Sequence, residues 1–263
     1  MVLWGIMRKI SANPSILVSP PVASDLEIAR RWDANSAARS MELLGNGDPS
    51  YRALKNLVHA SLADHEVPAG SKILDVGSGL GYLAAELADA GYRVDGIDPS
   101  SESVEKATQL HGGSDGLAFF QGTLQQFAAA HRDRKYAALV ANMTLHCVAD
   151  LQGFMFAAAK LLQPDGVLIA TIPNPGTYLQ SRPDVDVSGI DLRVEQTLEI
   201  EFRIRNHAPH PEKVLFFHRP IRIYSVAADN AGLPLLESRV PEHVGPGRSR
   251  DIAVLEFAPS QRS

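Results

Sequence analysis

Lys72-Ile73-Leu74-Asp75-Val76-Gly77-Ser78-Gly79-Leu80-Gly81-Tyr82 decides the fold. It reads as a short apolar strand running into a glycine-dense turn, with a helix opening beyond it. Glycines at 77, 79 and 81 let the backbone bend tightly and present bare N–H groups, because no Cβ stands in the way. A second apolar strand, Tyr92 to Ile97, ends in Asp98, 21 positions beyond Gly77. A carboxylate there is placed to accept hydrogen bonds from the two hydroxyls of a ribose. A nucleoside-bearing ligand is the first expectation.

The spacing of the glycines says which nucleosides to exclude. The dinucleotide fingerprint G-x-G-x-x-G needs a glycine where this chain has Tyr82. The phosphate loop G-x-x-x-x-G-K-[ST] is absent too, since no Lys-Ser or Lys-Thr pair follows. What stands here is G-x-G-x-G preceded by Leu-Asp-Val, and in these residues the chain resembles the class I S-adenosylmethionine-dependent methyltransferases. That resemblance implies a glycine loop against the methionine and ribose portions of S-adenosylmethionine, with Asp98 on the ribose and no lysine needed. Carried onto this chain, it implies Asp75, Gly77, Ser78, Gly79, Asp98 and Pro99 as cofactor-binding residues.

The resemblance runs across roughly residues 25–257. Gly122-Thr123-Leu124 lies where the family contacts adenine, which implies Thr123 and Leu124; the family often has Asp here, so the contact can pass to the backbone. Tyr136-Ala137-Ala138-Leu139-Val140-Ala141-Asn142-Met143-Thr144-Leu145-His146 resembles the fourth-strand segment of the small-molecule branch, with Ala137 in place of its usual Asp. It implies Asn142 near the cofactor amine. Leu161-Leu162-Gln163-Pro164-Asp165-Gly166 is similar to the family's turn into its fifth strand. Asp48-Pro49-Ser50-Tyr51-Arg52 and Phe217-His218-Arg219-Pro220 look like further features of a bacterial small-molecule subgroup. Arg52 either reaches the methionine carboxylate or is an exposed first-turn arginine. Trp32, in an amphipathic helix, either closes over the cofactor or simply packs.

Around this centre, strands and helices alternate. Strands are expected at 73–76, 92–98, 117–120, 136–141 and 166–172, with helices at 80–90, 100–111, 123–130 and 150–162. Alternation with continuous apolar strands reads as a parallel sheet covered on both faces, its ligand crevice beyond the carboxyl ends of the strands. Two helices precede it, Asp25 to Leu44 and one opened by Asp48-Pro49. After the fifth strand, period-two alternation from Leu192 to Ile204 and a second run from Val214 to His218 read as an inserted hairpin. A helix at 221–231 and strands at 235–240 and 252–257 complete the expected fold class: α/β, a doubly wound seven-stranded, mostly parallel sheet whose last strand is antiparallel. A flexible arm is expected over 1–21, a methyltransferase domain over 22–263, and lid elements at 25–64 and 189–218.

Bulk composition bounds the partners. The 263 residues suffice for one such domain with additions. Lys and Arg number 25 against 30 Asp and Glu, a formal charge of −5 that argues against general nucleic-acid binding. Cys147 stands alone, which excludes an internal disulfide framework. The first 21 residues hold no run long enough for a signal core or a membrane span. A cytoplasmic protein with a small-molecule substrate, no nucleic-acid and no membrane partner is the expectation; an N-terminal arm could also join copies into a homo-oligomer.

Methyl transfer needs alignment and desolvation more than covalent catalysis. An acceptor hydroxyl also benefits from a base. His146 is the first candidate, because a histidine's ordinary pKa suits proton removal near neutrality; otherwise it stabilises a loop. His218, at the end of the hairpin, is the second, against a strand-end structural role. No metal is expected, since Ala-Asn-Met and Ile-Pro-Asn stand where the family's Mg²⁺ enzymes carry acidic ligands. The expected function is metal-independent methyl transfer to a small, fairly apolar metabolite, at O, N or C. Methylation of tRNA or protein, and a cofactor-binding protein or cyclase without methyl transfer, are the competing readings.

Overall fold

A computed structural model describes residues 16–17, 25–44, 49–182, 185–201, 212–241 and 249–260, with side chains described only to residue 36 in the first helix. The parallel series is β2 (Lys72–Val76), β3 (Arg93–Asp98), β4 (Leu117–Gln121), β5 (Tyr136–Asn142) and β6 (Leu162–Pro173). β9 (Leu235–Arg239) and β10 (Ile252–Phe257) close one edge. The order is β4-β3-β2-β5-β6-β10-β9, with β10 antiparallel to both neighbours. Chain order reverses between β2 and β5, and the crevice at that switch point lies beyond the ends of β2, β3 and β5.

Five connecting helices cover the sheet: α3 (Tyr82–Asp89), α4 (Ser101–His111), α5 (Leu124–Ala130), α6 (Leu151–Leu161) and α7 (Ile221–Asn230). Their starts are where short polar side chains cap them. Ser100 accepts from Ser103 N, Asp150 from Gly153 N, and Thr123 and Gln126 form a reciprocal capping box. The main core lies between the sheet and α5, α6 and α7, with Leu74, Leu139, Phe154, Leu168 and Phe257 among its side chains. A second, smaller core joins α3 to the other face, around Ile73, Leu83, Leu87 and Val140.

Of the two leading helices, α1 (Asp25–Leu44) has the expected bounds and α2 (Pro49–Asp64) begins at the expected Pro49. α2 lies on the face of β5 and β6 and is latched at its end by a buried carboxylate. Glu256 of β10 accepts from Ser61 Oγ at 2.5 Å, His65 Nε2 at 2.8 Å and Arg239 at 2.9 Å. The hairpin forms as β7 (Gln196–Ile200) and β8 (Val214–His218), in register from Gln196↔His218 to Ile200↔Val214. The expected strand reached Ile204, but 202–211 lie outside the described residues. The hairpin is not two-stranded. β1 (Ile16–Leu17), from the segment expected to be a loose arm, pairs antiparallel with Leu198 and Glu199 of β7. The alternation of β7 had one more edge than the sequence could assign, and a distant segment fills it.

Candidate active site

The glycine loop turns through three left-handed residues, Gly77 (φ 72°), Gly79 (φ 53°) and Gly81 (φ 76°). Two of the three are demanded by neighbours. A Cβ on Gly77 would stand 2.4 Å from Thr144 Oγ1, and one on Gly81 2.5 Å from the Phe119 ring. A Cβ on Gly79 would meet nothing within 4 Å. Gly79 is therefore bare for the sake of the open space above it, where a ligand can approach.

The expectation of bare N–H groups is corrected. Gly77 N and Ser78 N donate to Ile97 O at 2.8 and 3.0 Å, Gly81 N to Ser78 O, and Gly79 N to Asp98 Oδ2 at 2.9 Å. Three of these donors are spent on the end of β3 and one within the loop, so they cannot form an anion nest. What it offers instead is negative charge. Asp98 is 9 % exposed; its other oxygen accepts from Ser100 N at 2.9 Å, and burial lifts its carboxyl to about 6. Asp75 is 2 % exposed, and its Oδ2 has no hydrogen-bond partner. Burial, helped by the charge of Asp98, raises Asp75 to about 7. An orphaned buried carboxylate oxygen costs several times a made hydrogen bond and marks a place for a ligand's donor. The Ser78 hydroxyl, within the glycine loop, is also buried and unpartnered.

α1 reaches this mouth through Asp33, which no sequence motif announced. Its carboxylate accepts from Ser100 Oγ at 2.6 Å and from Glu102 N, capping α4 from another element and adding negative charge near Asp98. Trp32, one residue earlier, packs among the hairpin's apolar side chains in the clusters of Phe216 and Phe217. That is the packing reading. Arg52 is exposed in the first turn of α2, and Pro99 is half-buried next to Asp98. Thr123 commits its amide to Gln126 Oε1 at 2.9 Å, within the capping box of α5. Leu124 is buried in the main core.

Beyond β5 the chain turns through Met143, a non-glycine at φ 54°, into the short 3₁₀ turn Leu145–Cys147. Thr144 Oγ1 donates to Val76 O at 3.0 Å and to Asn142 O at 3.2 Å, joining this turn to the strand that feeds the glycine loop. Asn142 is half-buried there and its Oδ1 accepts from Thr171. His146 follows, 5 % exposed, with its ring 5.3 Å from that of Phe216 and its Nδ1 unpartnered. Burial, and secondarily the charge of Arg219, lower its pKa to about 3. The ground for choosing His146 as a base near neutrality therefore fails: it is neutral and a poor proton acceptor. His218 does not serve as expected either. It is 2 % exposed and donates a ring N–H to Leu192 O at 3.0 Å, which is the structural role.

Arg219 is what holds this side together. It is 2 % exposed and donates to Leu145 O (3.2 Å), Val148 O (2.7 Å), Ala149 O (3.0 Å) and Glu195 (2.5 Å), with its guanidinium 4.8 Å over Phe217. The fork satisfies the carbonyls of the turn after β5 and ties them to the start of α7. Among the described residues, no group of three or more His, Cys, Asp and Glu is placed to hold a metal ion. No helix among them is long and apolar enough to cross a membrane.

The comparisons with known proteins meet this geometry. Residues 49–233 match the model of a methyltransferase domain family, and the chain belongs to the S-adenosylmethionine-dependent methyltransferases of that family. A ubiquinone biosynthesis O-methyltransferase of Klebsiella pneumoniae is 36% identical over 110 residues, covering 41% of this chain and 45% of the relative. The chain thus spans less than half the length of the curated relatives it matches. Among solved structures, a 1,6-didemethyltoxoflavin-N1-methyltransferase of Burkholderia thailandensis, crystallised with its substrate and S-adenosylhomocysteine, superposes with a TM-score of 0.60 at 16% identity, over 94% of this chain and 95% of that one. The CcbJ methyltransferase of Streptomyces caelestis superposes at 0.57 with 18% identity, over 79% and 89%. These likenesses are of fold.

Proposed function

We propose that the protein transfers a methyl group from S-adenosylmethionine to a small, fairly apolar metabolite, without a metal ion. One observation carries the reading: a loop whose donors are consumed internally stands between two buried carboxylates, one of them with an orphaned oxygen. Such a site repels phosphates and suits a cationic nucleoside. The cofactor fits it, and when bound supplies an activated methyl group on a positively charged sulfur. Asp98 retains lone pairs for the ribose hydroxyls. Asp75 and Ser78 offer the unpartnered atoms for the amino-acid end, with Gly79 giving room for close approach and Gly77 letting the loop pack against Thr144. Thr123 and Leu124 border the adenine end, Pro99 supports Asp98, and Arg52 stands at the outer rim. Trp32 acts through the hairpin by holding α1 down over the site.

The apolar wall of α1 and the hairpin supports a covered pocket that excludes water and aligns the acceptor. The net negative charge supports a small molecule over nucleic acid. Titration calorimetry with S-adenosylhomocysteine tests the reading; no binding at micromolar levels would overturn it. Turnover of tRNA or protein in place of metabolites, or binding without any methyl transfer, would favour the competing readings.

A further inference from the structure

One hydroxyl fixes which way the Asn142 amide faces. Thr171 on β6 is fully buried. Its Oγ1 accepts from Met143 N at 3.0 Å, and the same N–H is shared with Thr171 O at 2.9 Å. A hydroxyl owns a single proton, and this one points at Asn142 across 2.6 Å. The atom that receives it must be an acceptor, so it is Oδ1, and the two N–H donors of Nδ2 face away from Thr171. The arrangement is held at a cost. Met143 keeps a strained left-handed backbone, φ 54°, and its bonds to Thr171 maintain it.

Asn142 ends β5, the strand beside β2, and Thr144 ties that end to Val76 at the root of the glycine loop. A methyl acceptor must come to this place if the loop holds the donor. An attacking amine needs its N–H hydrogens accepted, so that its lone pair is left free. A donor aimed at it would compete for that lone pair. An ionised oxygen has three lone pairs and can take a donor while it attacks. The cofactor's ammonium is also poorly served by an N–H, whereas the orphaned Asp75 oxygen suits it.

We propose that Asn142 determines acceptor specificity as a hydrogen-bond donor, and that the acceptor is an acidic oxygen acid (a phenol, enol or carboxylic acid) bound as its anion. This rests on the methyltransferase reading above. It also fits the burial of His146, which is 5 % exposed with its ring 5.3 Å from that of Phe216, since an acceptor that ionises by itself needs no base. The acceptor's proton goes to solvent on ionisation. The oxygen lone pair then forms the O–C bond as the S–C bond breaks, its electron pair going to sulfur. The products are a methyl ether or ester and a neutral thioether.

The test uses the full chain loaded with S-adenosylmethionine, a panel of acidic phenols, enols and carboxylic acids with their amine counterparts, and the variants Asn142→Ala and Asn142→Asp. Oxygen products are expected over nitrogen ones. Asn142→Asp should cut oxygen transfer by about 10- to 100-fold while S-adenosylhomocysteine affinity changes less than about twofold. A second readout needs no turnover. 4-Nitrophenol bound to the S-adenosylhomocysteine complex should ionise at lower pH than in free solution, an effect lost in both variants. Preferred amine methylation, no oxygen product from the panel, or an unaltered nitrophenol titration in the variants would overturn the proposal. So would collapse of S-adenosylhomocysteine affinity, which would place Asn142 on the cofactor. Wild type failing to bind S-adenosylhomocysteine would instead refute the methyltransferase reading itself.

Discussion

The loop after β2 and the turn after β5 lie side by side at the same edge of the sheet, yet they are built on opposite principles. The first satisfies its backbone and leaves carboxylate atoms wanting: Asp75 Oδ2 has no partner, and Asp98 spends one bond per oxygen. The second binds its carbonyls to one buried guanidinium and discharges its histidine. One half keeps unsatisfied charge for a cation, while the other removes charge and fixes orientation. A binding half can tolerate unmet electrostatic demand, because the ligand relieves it. An aligning half cannot, because any slack misplaces the acceptor.

The sharpest way to break this contrast is Arg219→Ala. It strips the turn after β5 of its donors and leaves Leu145, Val148 and Ala149 carbonyls unmet, so a loss of about 3–5 kcal/mol is expected. Thermal unfolding should show a fall of roughly 10 °C, at about 2–4 °C per kcal/mol for this size. A drop within 2 °C would mean the guanidinium is not what holds that half. On the binding side, Asp98→Ala should weaken S-adenosylhomocysteine by about 100-fold or more, by loss of charge-assisted bonds, and titration calorimetry reads it directly. Unchanged affinity would refute the ribose role.

Two glycine substitutions sharpen the division within the loop itself. Gly77→Ala drives a Cβ into Thr144 and should cost about 2 kcal/mol or more of stability. Gly79→Ala meets open space, so it should cost only the ~1 kcal/mol of left-handed strain, yet lose ligand affinity. Paired melting and binding curves separate them, and equal stability losses would contradict the assignment. The smallest effect is in pH. Asp75 and Asp98 hold protons more tightly folded than unfolded, so the ligand-free protein loses stability as pH rises from about 4 to 7, the cost being complete above the folded values. Asp75→Asn should flatten that slope and raise the ligand-free melting temperature at pH 8 by a few degrees, at about 1 kcal/mol or more. A steeper slope in the variant would show the sign to be wrong.

The sheet was readable because each strand announces itself locally. The runs at 72–76 and 252–257 are apolar and bounded by turn residues, and the caps at Ser100, Thr123 and Asp150 stand within three residues of the amides they satisfy. Asp98 and the glycines were readable for the same reason, since spacing along two adjacent parallel strands fixes their meeting. Asp33 was not. It meets Ser100 from 67 residues away, on a helix whose sequence says only that it is amphipathic. Thr171 was likewise hidden, a threonine inside an apolar strand that reads as core.

The sequence by itself determined the alternation of strands and helices and the place of the crevice, and its family resemblance implied the nucleoside that belongs there. The alternation and the crevice follow from periodicity, turn chemistry and motif spacing, all of which act over short stretches of chain. Only the tertiary structure decided that the loop's donors are already spent, that burial lowers the pKa of His146 to about 3, and that Asn142 turns its oxygen to Thr171. Protonation and amide orientation depend on burial and on partners such as Thr171, 29 positions beyond Asn142, and Arg219, 74 positions beyond Leu145 in the turn that carries His146. No local pattern encodes them, because the free energy that sets them arises where the elements pack together.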